Sequence, residues 1–249
     1  LKVVVAFDDQ DTQIPEQFRV GNTIQHVVIL GRNISRIDDL FMSDLKNLLS
    51  IDVTGLSKVM IIGNSFLGGC NALVRIDLSG FSKLVVIGEF FLNEDSGLQE
   101  INLDSLFKVT TIGRDFLNGC SGLQSVDLRA LLNLKVIESY FLYRCSGLLH
   151  VDLSSLSKVT SIKSGLLTNC SNLKSADLSG FSNLREISLY ILERCNELRT
   201  IKITQNMHDM LLRKDKDFFR QFPKLSAENI MIVQGESSST TSAASAAKA

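Results

Sequence analysis

No run of apolar residues in this chain approaches the ~20 needed to cross a bilayer as a helix. Charge of one sign is not in excess either: the formal net charge is −1 over 249 residues. That balance gives no electrostatic reason to expect nucleic acid or an anionic membrane as partner. Five cysteines are present, but none form a C-x-x-C pair, so a zinc ribbon or a thioredoxin-type motif is absent. The catalytic signatures H-E-x-x-H and G-x-S-x-G are missing, as are the phosphate-binding P-loop and the dinucleotide fingerprint. Tryptophan is absent and proline occurs twice, whereas 14 phenylalanines are spread along the chain. The opening "LKVVVAF" is too short for a signal peptide and lacks its flanks. The Ser/Thr/Ala stretch at 236–249 reads as a disordered tail.

What is present is an internal repeat. Aligned on one apolar position, "SIDVTGL", "RIDLSGF", "EINLDSL", "SVDLRAL", "HVDLSSL", "SADLSGF" and "TIKITQN" begin their apolar pattern at Ile51, Ile76, Ile101, Val126, Val151, Ala176 and Ile201. Every step is 25 residues, without an insertion. The Ile-x-Leu segment alternates with period two and predicts a short strand with one buried face. "VTTIGRDFLNGC" predicts a turn at Gly113 and then one helical or 3-10 turn back to the next strand. A unit this small cannot bury its own apolar edge and must stack on a copy of itself, which makes the chain a solenoid. The fold class expected is therefore an α/β solenoid of 25-residue units. It would have a parallel strand ladder on the concave face and short helical or 3-10 turns on the opposite side.

The domain reading follows: residues 1–23 as an N-terminal cap, 24–203 as the solenoid, 204–235 as a C-terminal helical cap with a final strand at "ENIMIV", and 236–249 as the tail. The stretch "MHDMLLRKDKDFFRQFPKL" predicts one amphipathic helix ending before Pro223.

Leu-x-x-Ile-x-Leu in tandem resembles leucine-rich repeats. The general consensus of that class places Asn or Cys after the last strand Leu, where this chain has Leu56, Phe81, Leu106, Leu131, Leu156 and Phe181. "VTTIGRDFLNGCSGLQSVDL" is more similar to the BspA-like, or treponemal-type, subclass, and the form of the repeat also resembles leucine-rich repeat proteins of trypanosomatid protozoa. The unit here is longer than is usual for that subclass, with the extra residues in the "SGLSK" turn. The resemblance covers roughly residues 24 to 203 and implies a protein-binding or surface-adhesin role.

Cys70, Cys120, Cys145, Cys170 and Cys195 share one position of the unit, and Asp95 holds that place once. Small buried apolar side chains at a narrow rung are the expected role, although neighbouring rungs bring such residues within disulfide reach. A ladder of free thiols points to a reducing, cytoplasmic compartment.

If Ile101 and Leu103 face inward, their neighbours face outward. Down the stack this makes one column of Asp52, Asp77, Asn102, Asp127, Asp152 and Asp177, beside another containing Arg75, Glu100 and His150. Those nine are the candidate protein-binding residues. Two roles compete for the acids. Each caps the turn after its strand, or is offset by the column of Lys58, Lys83, Lys108 and Lys158; alternatively, the acidic face recognises a basic segment of a partner protein. His150 and Asp152, with the flanking Ser125 and Ser175, supply the residue types of a nucleophile and its base. A flat exposed ladder, however, supplies neither oxyanion donors nor excluded water. The expectation is a non-catalytic interaction scaffold with no cofactor, no metal, no nucleic-acid partner and no membrane span. The alternatives are an exported adhesin, or the regulatory or substrate-recognition part of a larger enzyme such as a ubiquitin ligase.

Overall fold

The computed structural model describes residues 1–234; the tail assigned to 236–249 lies outside them. The chain winds through about nine turns of roughly 25 residues. Most turns contribute one strand to a first parallel ladder and a two-residue strand to a second. The first ladder is a five-stranded sheet of Lys2–Ala6, His26–Leu30, Ser50–Gly55, Arg75–Asp77 and Glu100–Asn102, then a four-stranded sheet of His150–Asp152, Ser175–Asp177, Thr200–Thr204 and Ile230–Val233. The second ladder runs from Gln13–Ile14 to Thr111–Ile112, and again from Val136–Ile137 to Glu186–Ile187. Register follows the 25-residue period: Ile76 lies beside Ile101, and Val151 beside Ala176.

The alternation predicted for the strands is present. Ile76, Leu78, Val151 and Leu153 are buried while Asp77 and Asp152 are exposed. One contiguous core fills the stack, and its widest side chains form a column. Phe18, Phe41, Phe66, Phe91, Phe116 and Phe141 sit ring on ring with centroids 5.0–6.1 Å apart, tilted by no more than 21°. Near-parallel rings at this spacing bury large apolar areas and keep successive rungs in step.

The third side of each turn is an arc whose backbone departs from any helix. The i→i+3 turns are there, as in Asn118 N to Asp115 O and Cys120 N to Leu117 O, both 3.3 Å. Alternate residues, however, are left-handed: Leu67, Leu92, Leu117, Leu142, Leu167 and Leu192 all have φ between 51° and 57°. Left-handed backbone costs a residue with a Cβ roughly 1–2 kcal/mol. It persists because the alternation turns successive amides toward opposite neighbours. Leu67 N donates backward to Phe41 O at 2.8 Å, while Ser65 N and Gly69 N donate forward to Glu89 O and Asn93 O at 2.8 and 2.7 Å. The arc is thus a third hydrogen-bonded ladder.

Both ends depart from the simple repeat. Residues 1–23, expected as a cap, make the outermost rung: Lys2–Ala6 pairs in parallel with His26–Leu30, and Gln13–Ile14 with Arg36–Ile37. At the other end the helix α1 (Gln205–Lys214) is capped by the Thr204 side chain, which accepts from Met207 N at 3.1 Å. It buries Met207 and Leu211 and stops at the extended Asp215. The single helix predicted as far as Pro223 is therefore two pieces, with Phe218–Gln221 a 3-10 turn. The sequence 215–217 breaks it because Asp215 uses its own carboxylate to take the Asp217 amide at 2.9 Å, a local bond that competes with the helix. Ile230–Val233 is the last strand and pairs with Thr200–Thr204.

All five cysteines are free and buried. Each thiol meets a carbonyl of the rung before: Cys70 to Met42 O at 3.2 Å, Cys120 to Leu92 O at 3.1 Å, Cys145 to Leu117 O at 3.0 Å, and Cys170 and Cys195 to Leu142 O and Leu167 O at 3.1 Å. Burial pushes the thiols of Cys70 and Cys195 up to about 12 and holds the other three well above the ordinary value. They are thiols rather than thiolates, and packing units rather than nucleophiles. In the one rung with Asp95 the carboxyl is fully buried and accepts from Cys70 N at 2.5 Å, with its other oxygen unpartnered. Burial pushes this acid up to about 8, which favours its protonated form in the fold.

Candidate functional site

Each residue of the predicted acidic column makes the same local bond. The Oδ1 atoms of Asp52, Asp77, Asn102, Asp127, Asp152 and Asp177 accept from the backbone amide two residues on, at 2.9, 2.9, 3.0, 2.9, 2.8 and 2.9 Å. These are Asx turns, and they end the strand by taking up an amide the ladder no longer serves. The lysine column does not neutralise the acids. Lys58 and Lys158 reach Asn33 and Asn133 of the preceding rung, the first at 2.7 Å. The two competing roles of the acids are compatible in this geometry. One oxygen is committed to the turn, and the other oxygens of the exposed Asp52, Asp77 and Asp152 have no partner among the described residues.

The structure divides eight of the nine candidates into two groups. Asp52, Asp77, Asn102, Arg75 and Glu100 line an open trough of about 730 Å³, together with Lys2, His26 and Ser50. His150, Asp152 and Asp177 line a second hollow of about 420 Å³, with Ser175, Lys202 and Met231. Asp127 lies in neither. Its carboxylate is held by the Arg129 guanidinium, with Nε 3.0 Å from both oxygens, and those hydrogen bonds keep it below the usual carboxylate range. Asp177 is partly buried, which works against ionisation, but bonds from Ser179 and from Lys202 at 3.1 Å hold it below its ordinary value as well. The face is therefore a mosaic, with Lys2, Arg75 and Lys202 among the acids.

The gap between the two groups is a break in the sheet. Among the described residues Ser125–Asp127 forms no strand, and both ladders are interrupted between the rungs of Ile101 and Val126. Ile101 and Val126 are only half-buried there, unlike their equivalents Ile51, Ile76 and Val151. The arc is unbroken across the same junction: Leu142 N donates to Phe116 O at 3.0 Å, and Gly119 N to Tyr143 O at 2.8 Å.

His150 Nδ1 lies 2.7 Å from Ser175 Oγ, and His26 Nδ1 lies 2.8 Å from Ser50 Oγ one sheet away. Neither Ser125 nor Asp152 joins the His150 pair. Repetition of the contact in two places on an exposed ladder is what cross-strand polar pairing produces. Lys2, His26 and Lys202 escaped the sequence reading because they lie on rungs where the Asp motif is missing, and Ser50 because it precedes Arg75 in the less regular column beside the acids. Their signal was the 24- and 25-residue spacing from the residues that carry it.

Parallel ladders stacked at this period, with Leu and Ile inward and a Cys column at the turn, define a leucine-rich repeat solenoid. The family described as BspA type leucine rich repeat region matches in six copies, over residues 12–131 and 86–222. The chain belongs to that family. Among solved structures, a leucine-rich repeat protein from Bacteroides ovatus is 15% identical, with 94% of this chain and 71% of that one covered and a TM-score of 0.49. The Treponema pallidum leucine-rich repeat protein is 20% identical, with 78% and 87% covered and a TM-score of 0.44. A leucine-rich cell surface protein from Faecalibacterium prausnitzii is 15% identical, covering 87% and 80%, with a TM-score of 0.26. No curated protein matches the chain. The repeat class is that of interaction scaffolds, and among the described residues no helix is long and apolar enough to cross a membrane.

Proposed function

We propose that the chain is a non-catalytic scaffold whose strand face docks a partner protein through a basic segment. The observation that carries this reading is the set of Asx turns. A carboxylate held by one oxygen has its direction set before any partner arrives, so little side-chain entropy is lost on binding. Repetition at the rung spacing of about 4.8 Å matches the scale of successive side chains on an extended peptide. The column with Arg75, Glu100 and His150 supplies the mixed polar rim that sets register. Five free thiols support a reducing compartment, the cytoplasm, as the place of action.

The natural Asn102 shows how to test it. Its amide oxygen keeps the turn bond at 3.0 Å without the charge. Replacing Asp52, Asp77 and Asp152 together by Asn should leave the unfolding midpoint within experimental error. It should also abolish retention of proteins that the wild-type solenoid captures from lysate. Retention of the same proteins by both would defeat the acidic-face reading.

A further inference from the structure

All three tyrosines of the chain meet at one place, on the arc and away from the strand face. Tyr140, Tyr143 and Tyr190 line a hollow of about 430 Å³ whose floor is Gly165. A second hollow of about 610 Å³ adjoins it and shares Tyr143, Asn169 and Arg194. Gly165 is required there. Its φ is +87°, and a Cβ would stand 2.6 Å from Cδ1 of the Tyr140 ring, which leans over it. Tyr140 and Tyr143 meet edge to face at 5.1 Å, and Tyr190 is 65% exposed. Among the described residues none of the three phenol hydroxyls has a partner.

The polar groups around these rings are equally uncommitted. Thr168 is 5% exposed and its Oγ1 finds no hydrogen bond. Neither Arg194 nor Glu193 forms an ion pair among the described residues, and Arg144 only approaches Glu94 at 3.7 Å. The two arginines and two glutamates cancel, so net charge does not select the ligand. Nor does aliphatic burial: no Leu, Ile, Val or Met side chain lines either hollow. The apolar surface on offer is that of three tyrosine rings, without the aliphatic side chains that help build the buried centre of a protein interface.

We propose that this tyrosine-lined hollow binds a neutral oligosaccharide lying along the arc. A sugar ring has an apolar C–H face, which suits an exposed aromatic ring. It also has an edge of hydroxyls that both donate and accept, which suits the unpaired guanidinium, carboxylate and amide groups of Arg194, Glu193 and Asn169. Affinity then rests on the aromatic faces, and orientation on the few polar groups.

The chain contains no tryptophan, so its intrinsic tyrosine emission reports this site alone. The test is a printed array of neutral glycans, followed by an emission titration with any glycan retained. Heparin and a glutamate–tyrosine copolymer serve as parallel probes. The expected result is a saturable emission change with a neutral glycan, insensitive to salt, and weakened roughly tenfold or more by Tyr190→Ala, which is a loss of about 1.4 kcal/mol. Tyr190 is exposed enough that the variant should keep the wild-type unfolding midpoint; Arg194→Ala provides a second variant outside the aromatic set. Retention of no neutral glycan overturns the proposal. So does a response to heparin alone, which would be charge-driven, or to the copolymer alone, which would be a protein site. Unchanged affinity in both variants overturns it as well.

Discussion

The two halves of the stack are built differently at one small position, and the sheet breaks where they meet. In the first half three successive second-ladder strands are followed by Gly63, Gly88 and Gly113, after Pro15 and Asp38 on the two outermost rungs; in the second half the residue is Glu138, Lys163 or Ser188. The glycines are packed on backbone: a Cβ at Gly88 would lie 2.5 Å from the carbonyl of Gly63, and one at Gly113 would lie 2.6 Å from Glu89 N. The glycine column ends there, and Glu138 takes the next place. Between Thr111–Ile112 and Val136–Ile137 the second ladder is open, and it resumes from Val136–Ile137 onward. The first ladder opens at the same junction, while the phenylalanine column crosses it with rings 5.0 Å apart. A solenoid tolerates a change of backbone geometry between rungs when side-chain packing elsewhere carries the continuity.

The largest effect expected from probing this difference lies in the first half, at Asp95. Unfolded, its carboxyl releases a proton at about 3.9; folded, burial holds it to about 8. Between those values the unfolded chain binds fewer protons than the native one, so stability falls as pH rises. The full cost is on the order of 6 kcal/mol above the folded value. Urea unfolding from pH 4 to pH 8 should show this loss, and Asp95→Cys, which restores the column, should remove it. A flat profile in the native chain would mean the acid is not buried as described.

Next in size is Phe116→Ala, which opens a cavity where the aromatic column bridges the break. A loss of ~3–5 kcal/mol is expected for a buried Phe. It should be accompanied by faster amide exchange on both sides of residue 125, because with both strand ladders open there the halves are joined by the arc and the core alone. The contrast itself is tested by a pair. Gly88→Ala should cost ~1–3 kcal/mol by overpacking against backbone. Lys163→Ala, two rungs beyond Gly113 in the same column, should cost no more than ~1 kcal/mol, the worth of its exposed pair with Glu186. Equal losses would show that the halves share one geometry. Smallest is Asp152. Asp152→Ala should cost ~1 kcal/mol for a lost turn bond, and Asp152→Asn close to nothing; calorimetry at matched pH separates them.

The strand face was legible in advance because strands have the simplest rule. Alternation decides which of two faces each residue takes, so Asp77 and Asp152 could be placed outward from their neighbours alone. The Asx turns were open to the same reading, since Asp is followed two residues on by Ser79, Ser154 or Ser179 in the turn. The arc was not legible. Leu117 with φ 55° violates the preference of a residue with a branched side chain. No local rule announces a conformation that is stable only because the rungs above and below supply its partners. The tyrosine site was hidden for a related reason: Tyr140 and Tyr190 lie 50 residues apart and become neighbours through the Gly165 rung alone.

The amino-acid sequence by itself determined the period, the stacking of units, the buried thiol column and the outward acids, because each follows from apolar spacing repeated many times over. Tertiary structure decided the left-handed arc, the break at Ser125–Asp127 and the burial of the Asp95 carboxyl. Those depend on how closely one rung can approach the next, and a distance between backbones 25 residues apart is not written in any one of them.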